Sequence, residues 1–397
     1  MRRKFALMFL IVMISMMSIA SFNPVAAPLA RSLGMSDFQS GCLVSAAGLC
    51  WLMGGYCWGR FSRLSRKMTL LLLMLAYAAV LVAFAALAER AAEGGAASGG
   101  LFWLFLLLRA AAGFFFGGIP AKAQAYVMGW TTESTRTRGM ALFGAANGLG
   151  FVLGPAMSGA TASLSLTAPM VASAAMLLAI MLPLAILIRD GEPGNAGPQR
   201  SRATLSPFDP RIRPYLAIGL VLSVVLNIVQ VTINIFMQDA NGFGAIESAR
   251  RVGIGLAISG ILVALSQAVF GRRLRWSPER SMTVGLLLVG SGLGGFLTLR
   301  ELAYPAFAAL GLGIGLTMLG YGSGASLAVD GSGQRSVASY VSALQGGGSF
   351  LGPAIGAGLY AAGAAWPYGV CLALLAVCLP AASGRTRGRY SRPERTG

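Results

Sequence analysis

"FVLGPAMSGA", Phe151 to Ala160, is nearly repeated as "SFLGPAIGAG", Ser349 to Gly358. The shared LGPA cores begin at Leu153 and Leu351, half a chain length apart in 397 residues. The echo extends outward, because "AANGLGFVLGPAMSGA" (Ala145 to Ala160) parallels "ALQGGGSFLGPAIGAG" (Ala343 to Gly358). Asn147 falls opposite Gln345, and Gly148 and Gly150 fall opposite Gly346 and Gly348. Such a repeat points to a duplicated unit, and the surrounding residues say what kind.

Those residues are apolar. Hydrophobic residues form 56% of the chain and charged ones 11%, against about a quarter charged in soluble domains. Runs such as "MTLLLLMLAYAAVLVAFAALAE" (Met68 to Glu89) and "APMVASAAMLLAIMLPLAILI" (Ala168 to Ile188) are long enough to cross a bilayer as helices, which takes about 20 apolar residues. They lack the alternation of barrel strands. Twelve spans are predicted, roughly at 5–31, 38–59, 68–88, 101–128, 139–161, 166–188, 214–238, 252–270, 281–299, 302–327, 336–361 and 366–382. The segment "RDGEPGNAGPQRSRATLSPFDPRIRP" (Arg189 to Pro214) is rich in Pro, Gly, Ser and Arg, and reads as a linker between six spans and six. The expected fold class is therefore an all-α membrane protein of twelve transmembrane helices in two pseudo-symmetric six-helix bundles. Its expected divisions are a first half at 1–188, a linker at 189–213, a second half at 214–382 and a basic tail at 383–397. The repeated phrases lie in the fifth and eleventh spans, the same place in each half.

The net charge of +18 is a matter of topology. With both termini cytoplasmic, most of the 31 Lys and Arg lie on the inner side, as the positive-inside rule requires. This predicts a multi-pass protein of the inner or plasma membrane. No basic stretch carries the interleaved aromatics of a single-strand binder, so no nucleic-acid partner is expected. "MRRKFALMFLIVMISMMSIA" shares features with a signal peptide, but its apolar run is long and a first span is the reading. The five cysteines show neither metal spacing nor a disulfide framework.

Enzyme chemistry fits poorly. The chain has no His, no Walker-type loop and no carboxylate pair inside a span, so the usual acid–base and metal constellations are missing. "GSGLGG" (Gly290 to Gly295) matches a dinucleotide fingerprint but lies within the ninth span, where it serves helix packing. No cofactor and no metal are expected. Repeats between two six-span halves are instead a mark of secondary transporters.

Three phrases resemble the major facilitator superfamily, in particular its twelve-span drug/proton antiporter branch. "LGFVLGPAMSG" (Leu149 to Gly159) is similar to the fifth-helix antiporter motif, with Gly150, Gly154, Pro155 and Gly159 at its positions. "RAAAG" (Arg109 to Gly113) resembles the fourth-helix RxxQG motif, with Ala112 where Gln is usual. "GRFSRLSRK" resembles the loop signature between helices two and three through Gly59, Arg66 and Lys67, although Arg63 stands where Asp is expected and the spacing is one residue short. The resemblance implies alternating access by two rocking halves, with helices one, four, seven and ten lining a cavity. It further implies a small-molecule substrate, proton-driven efflux, and a monomer among membrane lipids, with uptake or facilitated diffusion as the alternative. A membrane sensor of the same fold is the other class considered, and it would be expected to carry an added signalling domain.

Several residues are candidates for that work. Gly150, Gly154 and Pro155 are expected to form a closely packed, flexible face between the halves, since small residues let membrane helices approach and Pro removes a backbone bond. Arg109 lies about 12 Å into its span, too deep for easy snorkelling, so it is expected to face a cavity; Pro120 and Gln124 follow near its helical face. An anionic or polar substrate group is a candidate partner for it. In "NIVQVTINIFMQD", Asn227, Gln230, Asn234 and Gln238 share one face of the seventh span. They are expected to line the cavity or to bond a neighbouring helix, with Asn23, Ser15, Tyr304, Thr317 and Tyr321 as weaker candidates. No acidic residue lies mid-span, so proton coupling is expected at the edge carboxylates Asp37, Asp239 or Asp330.

Overall fold

A helix that is apolar around its whole circumference must be enclosed by lipid or by other helices; the described residues form thirteen helices, and nine stretches of them are long and apolar enough to cross a membrane. The structure is a computed structural model that describes residues 2–60, 63–93, 99–131, 133–188, 205–272, 276–298, 303–329 and 331–383. The helices are α1 (Arg2–Ala20), α2 (Asn23–Ser32), α3 (Asp37–Arg60), α4 (Arg66–Glu93), α5 (Gly99–Trp130), α6 (Glu133–Ala162) and α7 (Ala168–Leu187). There follow α8 (Arg213–Asn241), α9 (Ala245–Arg272), α10 (Pro278–Thr298), α11 (Ala303–Leu327), α12 (Gly331–Ala362) and α13 (Trp366–Ala382). Most of the linker, residues 189–204, and the tail from 384 lie outside the described residues.

The first span departs from the single helix predicted for 5–31. It breaks at Ser21 and Phe22 into α1 and α2. Pro24 stands in the first turn of α2; it has no N–H, and its ring clashes with the carbonyl four residues back. That carbonyl belongs to Ala20, the last residue of α1. Ser21 Oγ donates instead to the Ser18 carbonyl at 2.9 Å.

Two hydrophobic cores result. One gathers side chains from α1 to α7, around Tyr77, Phe84, Phe105 and Phe116. The other gathers α8 to α13, around Phe296, Phe307 and Tyr368. They trade members where α2 meets α8 and α9, with Ala27 in the second core and Val231 and Ala249 in the first, and Val152 of α6 also packs against the second.

The repeated phrases explain the internal symmetry. A Cβ on Gly154 would lie 2.6 Å from the Met17 carbonyl oxygen, and Gly150 meets Met13 and Met16, so both glycines press α6 onto α1. Their counterparts press α12 onto α8, Gly348 against Ser223 and Gly352 against Asn227. This corrects the expectation that Gly150 and Gly154 lie between the halves. Gly159 does lie there, touching Gly253 of α9. Five residues past Gly154 turn a helix by about 140° from its starting face, so one phrase serves two interfaces. Its counterpart Ala357 meets Gly41 of α3, where an added Cβ would lie 2.6 Å from the Ala357 Cβ.

Candidate functional site: a cavity between the two halves

Helix direction defines two faces. One carries the start of α1 and the end of α13; the opposite one carries the α2–α3 and α8–α9 turns, where Gly34 and Gly242 take positive φ. The halves are joined at this second face, opposite the termini. Arg31 of α2 donates through Nε and Nη2 to Asp37 of α3, at 2.7 and 2.8 Å. The same guanidinium donates through Nη1 and Nη2 to Asp239 of α8, at 2.9 and 3.2 Å. Tyr360 of α12 donates its hydroxyl to Asp239 at 2.6 Å. One cation thus holds two carboxylates, one from each half, and the planar fork of Arg suits such bidentate pairing.

Deeper in, polar bonds continue the closure. Asn23 Nδ2 donates to Gln230 Oε1 at 2.9 Å, and Asn234 Nδ2 donates to the Pro24 carbonyl at 2.9 Å. Ser45 Oγ accepts the Ala354 N–H at 3.0 Å, tying α3 to α12.

Toward the terminal face the halves part. Gly144 and Gly148 of α6 meet open space, although Gly159 of the same helix is crowded by the opposite half. A cavity of about 210 Å³ opens there between Trp51, Pro120, Gln124, Phe143, Asn147 and Gln345. A second, about 60 Å³, lies among α6, α8, α9, α11 and α12. Its wall is mainly aliphatic, with Ser223, Gln230, Ser259, Tyr321 and Gln345 as polar points. A third, about 10 Å³, is lined by Asn23, Trp51, Arg109, Phe151 and Ser349.

The predicted site residues therefore divide. Gln124 lines the first cavity, Gln230 and Tyr321 the second, and Asn23 and Arg109 the third. Pro155 also reaches the second. Asn227 and Asn234, expected on the cavity wall, are packed at helix interfaces instead. Asn227 donates back to the Ser223 carbonyl at 2.9 Å and abuts Gly352. Asn234 accepts from Ser248 Oγ at 2.5 Å while holding Pro24. Three- and four-residue steps scatter side chains over a broad arc, and only the part of that arc around Gln230 faces the cavity. Asp330 lies outside the described residues. Gly59 is exposed at the terminal end of α3, with Arg66 and Lys67 half-buried at the start of α4.

Several cavity residues were not among the predicted site residues, and two of them are related by the repeat. Asn147 and Gln345 are symmetry mates in the repeat, and they converge on one cavity from opposite halves. The signal was an amide at the same register in both copies.

Residues 8–345 match the family description "Major Facilitator Superfamily". The chain belongs to the major facilitator superfamily. It is a multi-pass membrane transporter of the secondary kind, not an enzyme. Among curated proteins it is 31% identical over 297 residues to the tetracycline resistance protein, class C, of Escherichia coli, covering 70% of this chain and 72% of that one. Among solved structures it is similar to a bacterial homolog of the human lysosomal transporter Spinster, crystallised inward-facing and unoccupied. The TM-score is 0.75, with 14% identity and coverage of 97% of both chains. The nucleoside transporter NupG gives a TM-score of 0.71 at 13% identity, covering 98% of this chain and 100% of that one. At such identities these structures speak for the superfamily fold alone.

Proposed function

We propose that this transporter exports a small amphipathic molecule in exchange for protons, and that the structure is its inward-facing state. The observation that carries the reading is the asymmetry of the two ends. A cavity shared by both halves opens toward the terminal face, while Arg31, Asp37, Asp239 and Tyr360 clasp the other. A cytoplasmic position for both termini in a cell membrane is supported by the weight of Lys and Arg on that side. Export is supported by the Gly150, Gly154, Pro155, Gly159 motif and by a 31% identical relative whose name ties it to drug resistance. The aliphatic wall with scattered amides and hydroxyls suits a substrate that is mostly apolar with a few polar groups.

The clasp changes the role proposed for two carboxylates. Closure is favoured by an ionised Asp239, whose two oxygens accept from Arg31 and Tyr360, and Asp37 shares the same guanidinium. A ligand shifts a conformational equilibrium only by binding the two states differently. Protons from outside therefore favour opening of the outer end, but in the closed state these carboxylates are sealed from the cytoplasm. We accordingly assign Asp37 and Asp239 to the outer gate, which leaves Asp330 as the expected coupling carboxylate.

The test is transport in proteoliposomes with an imposed pH gradient, across a panel of drug-like and metabolite compounds. Substrate movement against its own gradient, driven by opposite proton flow, is the expected result. Flux that follows only the substrate's own gradient overturns antiport and leaves a facilitator of the same fold.

A further inference from the structure

Arg109 is an unusual residue for the middle of a helical bundle. It is 2% exposed, and its Nε is buried without a hydrogen-bond partner. No carboxylate among the described residues pairs with it. One face of its guanidinium is covered by the Phe22 ring, with Cζ 3.9 Å from the centroid. Phe22 sits in the break between α1 and α2, so the interruption caused by Pro24 brings this ring over the cation. A cation–π contact offsets part of the desolvation, yet a buried charge without a counter-ion stays costly. Ionisable side chains at this depth persist when a ligand or pathway uses them.

The space beside it has the dimensions of one atom. The cavity lined by Arg109, Asn23, Ser349 and Trp51 has about 10 Å³, room for roughly one water-sized species. Its donors are a guanidinium and a hydroxyl. The N-terminal end of α2, which begins at Asn23, adds positive potential. The cavity adjoins the one of about 60 Å³: Phe151 lines both, and Gln230 of the larger is hydrogen-bonded to Asn23 of the smaller.

We propose that Arg109, with Asn23 and Ser349, forms a binding site for a single anionic atom, supplied either by a free halide or by an acidic oxygen of the substrate. The second source rests on the transport reading above; the first does not. Bound there, the anion supplies the missing counter-charge and links the α1–α2 break to α5, α6 and α12.

The test separates the two sources. Purified protein without substrate is unfolded thermally in sodium chloride or sodium gluconate at constant ionic strength. A free-halide site gives a saturable rise in Tm of about 3 °C or more in chloride, and iodide quenches Trp51 fluorescence, assigned by difference from Trp51→Phe. Both effects vanish in Arg109→Gln and persist weakened in Arg109→Lys. Arg109→Gln removes an unpaired buried charge, so it folds at least as stably as wild type in gluconate; Ser349→Ala is the milder second variant, weakening the chloride response several-fold. If the substrate is the source, halides do nothing. Wild type then transports a carboxylic acid at least ten-fold better than its methyl ester, and Arg109→Gln loses that preference. Absence of both a halide response and an acid preference removes the site, whether or not export itself is observed.

Discussion

Replacing Asp239 by Asn isolates the electrostatic part of the outer gate. The side chain keeps its shape and still accepts from Tyr360, but Arg31 loses the carboxylate that ties it to the second half. Hydrogen bonds to charged groups contribute about 1.5–3 kcal/mol, whereas exposed ion pairs contribute about 0.2–1 kcal/mol. The Arg31 and Asp239 side chains are 31% and 44% exposed, which places this pair between those limits and subject to screening. A loss of about 1–2 kcal/mol follows, a shift of about 5- to 30-fold toward the open outer end. Spin labels at Ser36 and Gly244, both exposed beside the clasp, report the change as distance distributions in a background lacking the five native cysteines. The longer-distance population is expected to grow by that factor in Asp239→Asn. Acidification of the outer face acts in the same direction, because the contribution of the ionised Asp239 carboxylate is present at neutral pH and lost as pH falls. The groups facing Asp239 there are Arg31, Asp37 and Tyr360, and the acid response should shrink in the variant. An unchanged distance distribution at both pH values would refute the clasp as a determinant of state. A cycle with Arg31→Gln measures the coupling directly.

Four further substitutions test the packing and the buried hydrogen bonds. Gly159→Leu places a side chain against the Gly253 backbone across the halves, so transport should be lost and the outer end held open while the protein stays folded. Gly154→Leu overpacks α6 onto α1 within one half; it should lower Tm, at a cost of about 1–3 kcal/mol, without moving the label distances. Asn234→Leu orphans the Pro24 carbonyl, worth about 1–3 kcal/mol when unsatisfied in a buried site, while the Ser248 hydroxyl keeps the backbone carbonyl of residue 234 as its acceptor; the melting temperature in detergent should fall clearly. Asn227→Leu removes only a bond within its own helix and should fall well short of that effect, which thermal scans of the two variants side by side will check.

The spans, their halving and the duplication were legible in the residues because bilayer thickness and helical rise translate directly into runs of apolar sequence. The repeat even placed Asn147 opposite Gln345, the two amides that meet across the cavity. Depth was legible too: Arg109 stands far inside its span, and the structure buries it. What a linear pattern cannot carry is the direction in which each face points. Gly154 and Gly159 belong to one phrase yet touch different halves. Asn227 and Gln230 are three residues apart, yet one abuts Gly352 and the other borders the cavity. The break after Ala20 follows from Pro24, although a single span was predicted there, and its consequence, a ring over the Arg109 guanidinium, depends on α5 lying beside it. The meeting of Arg31 with Asp239, 208 residues away, has no local signature at all. Apolar length determines how many helices cross the membrane; which of their few polar groups meet is decided only when the two halves pack, because each pairing depends on the rotation of both helices about their own axes.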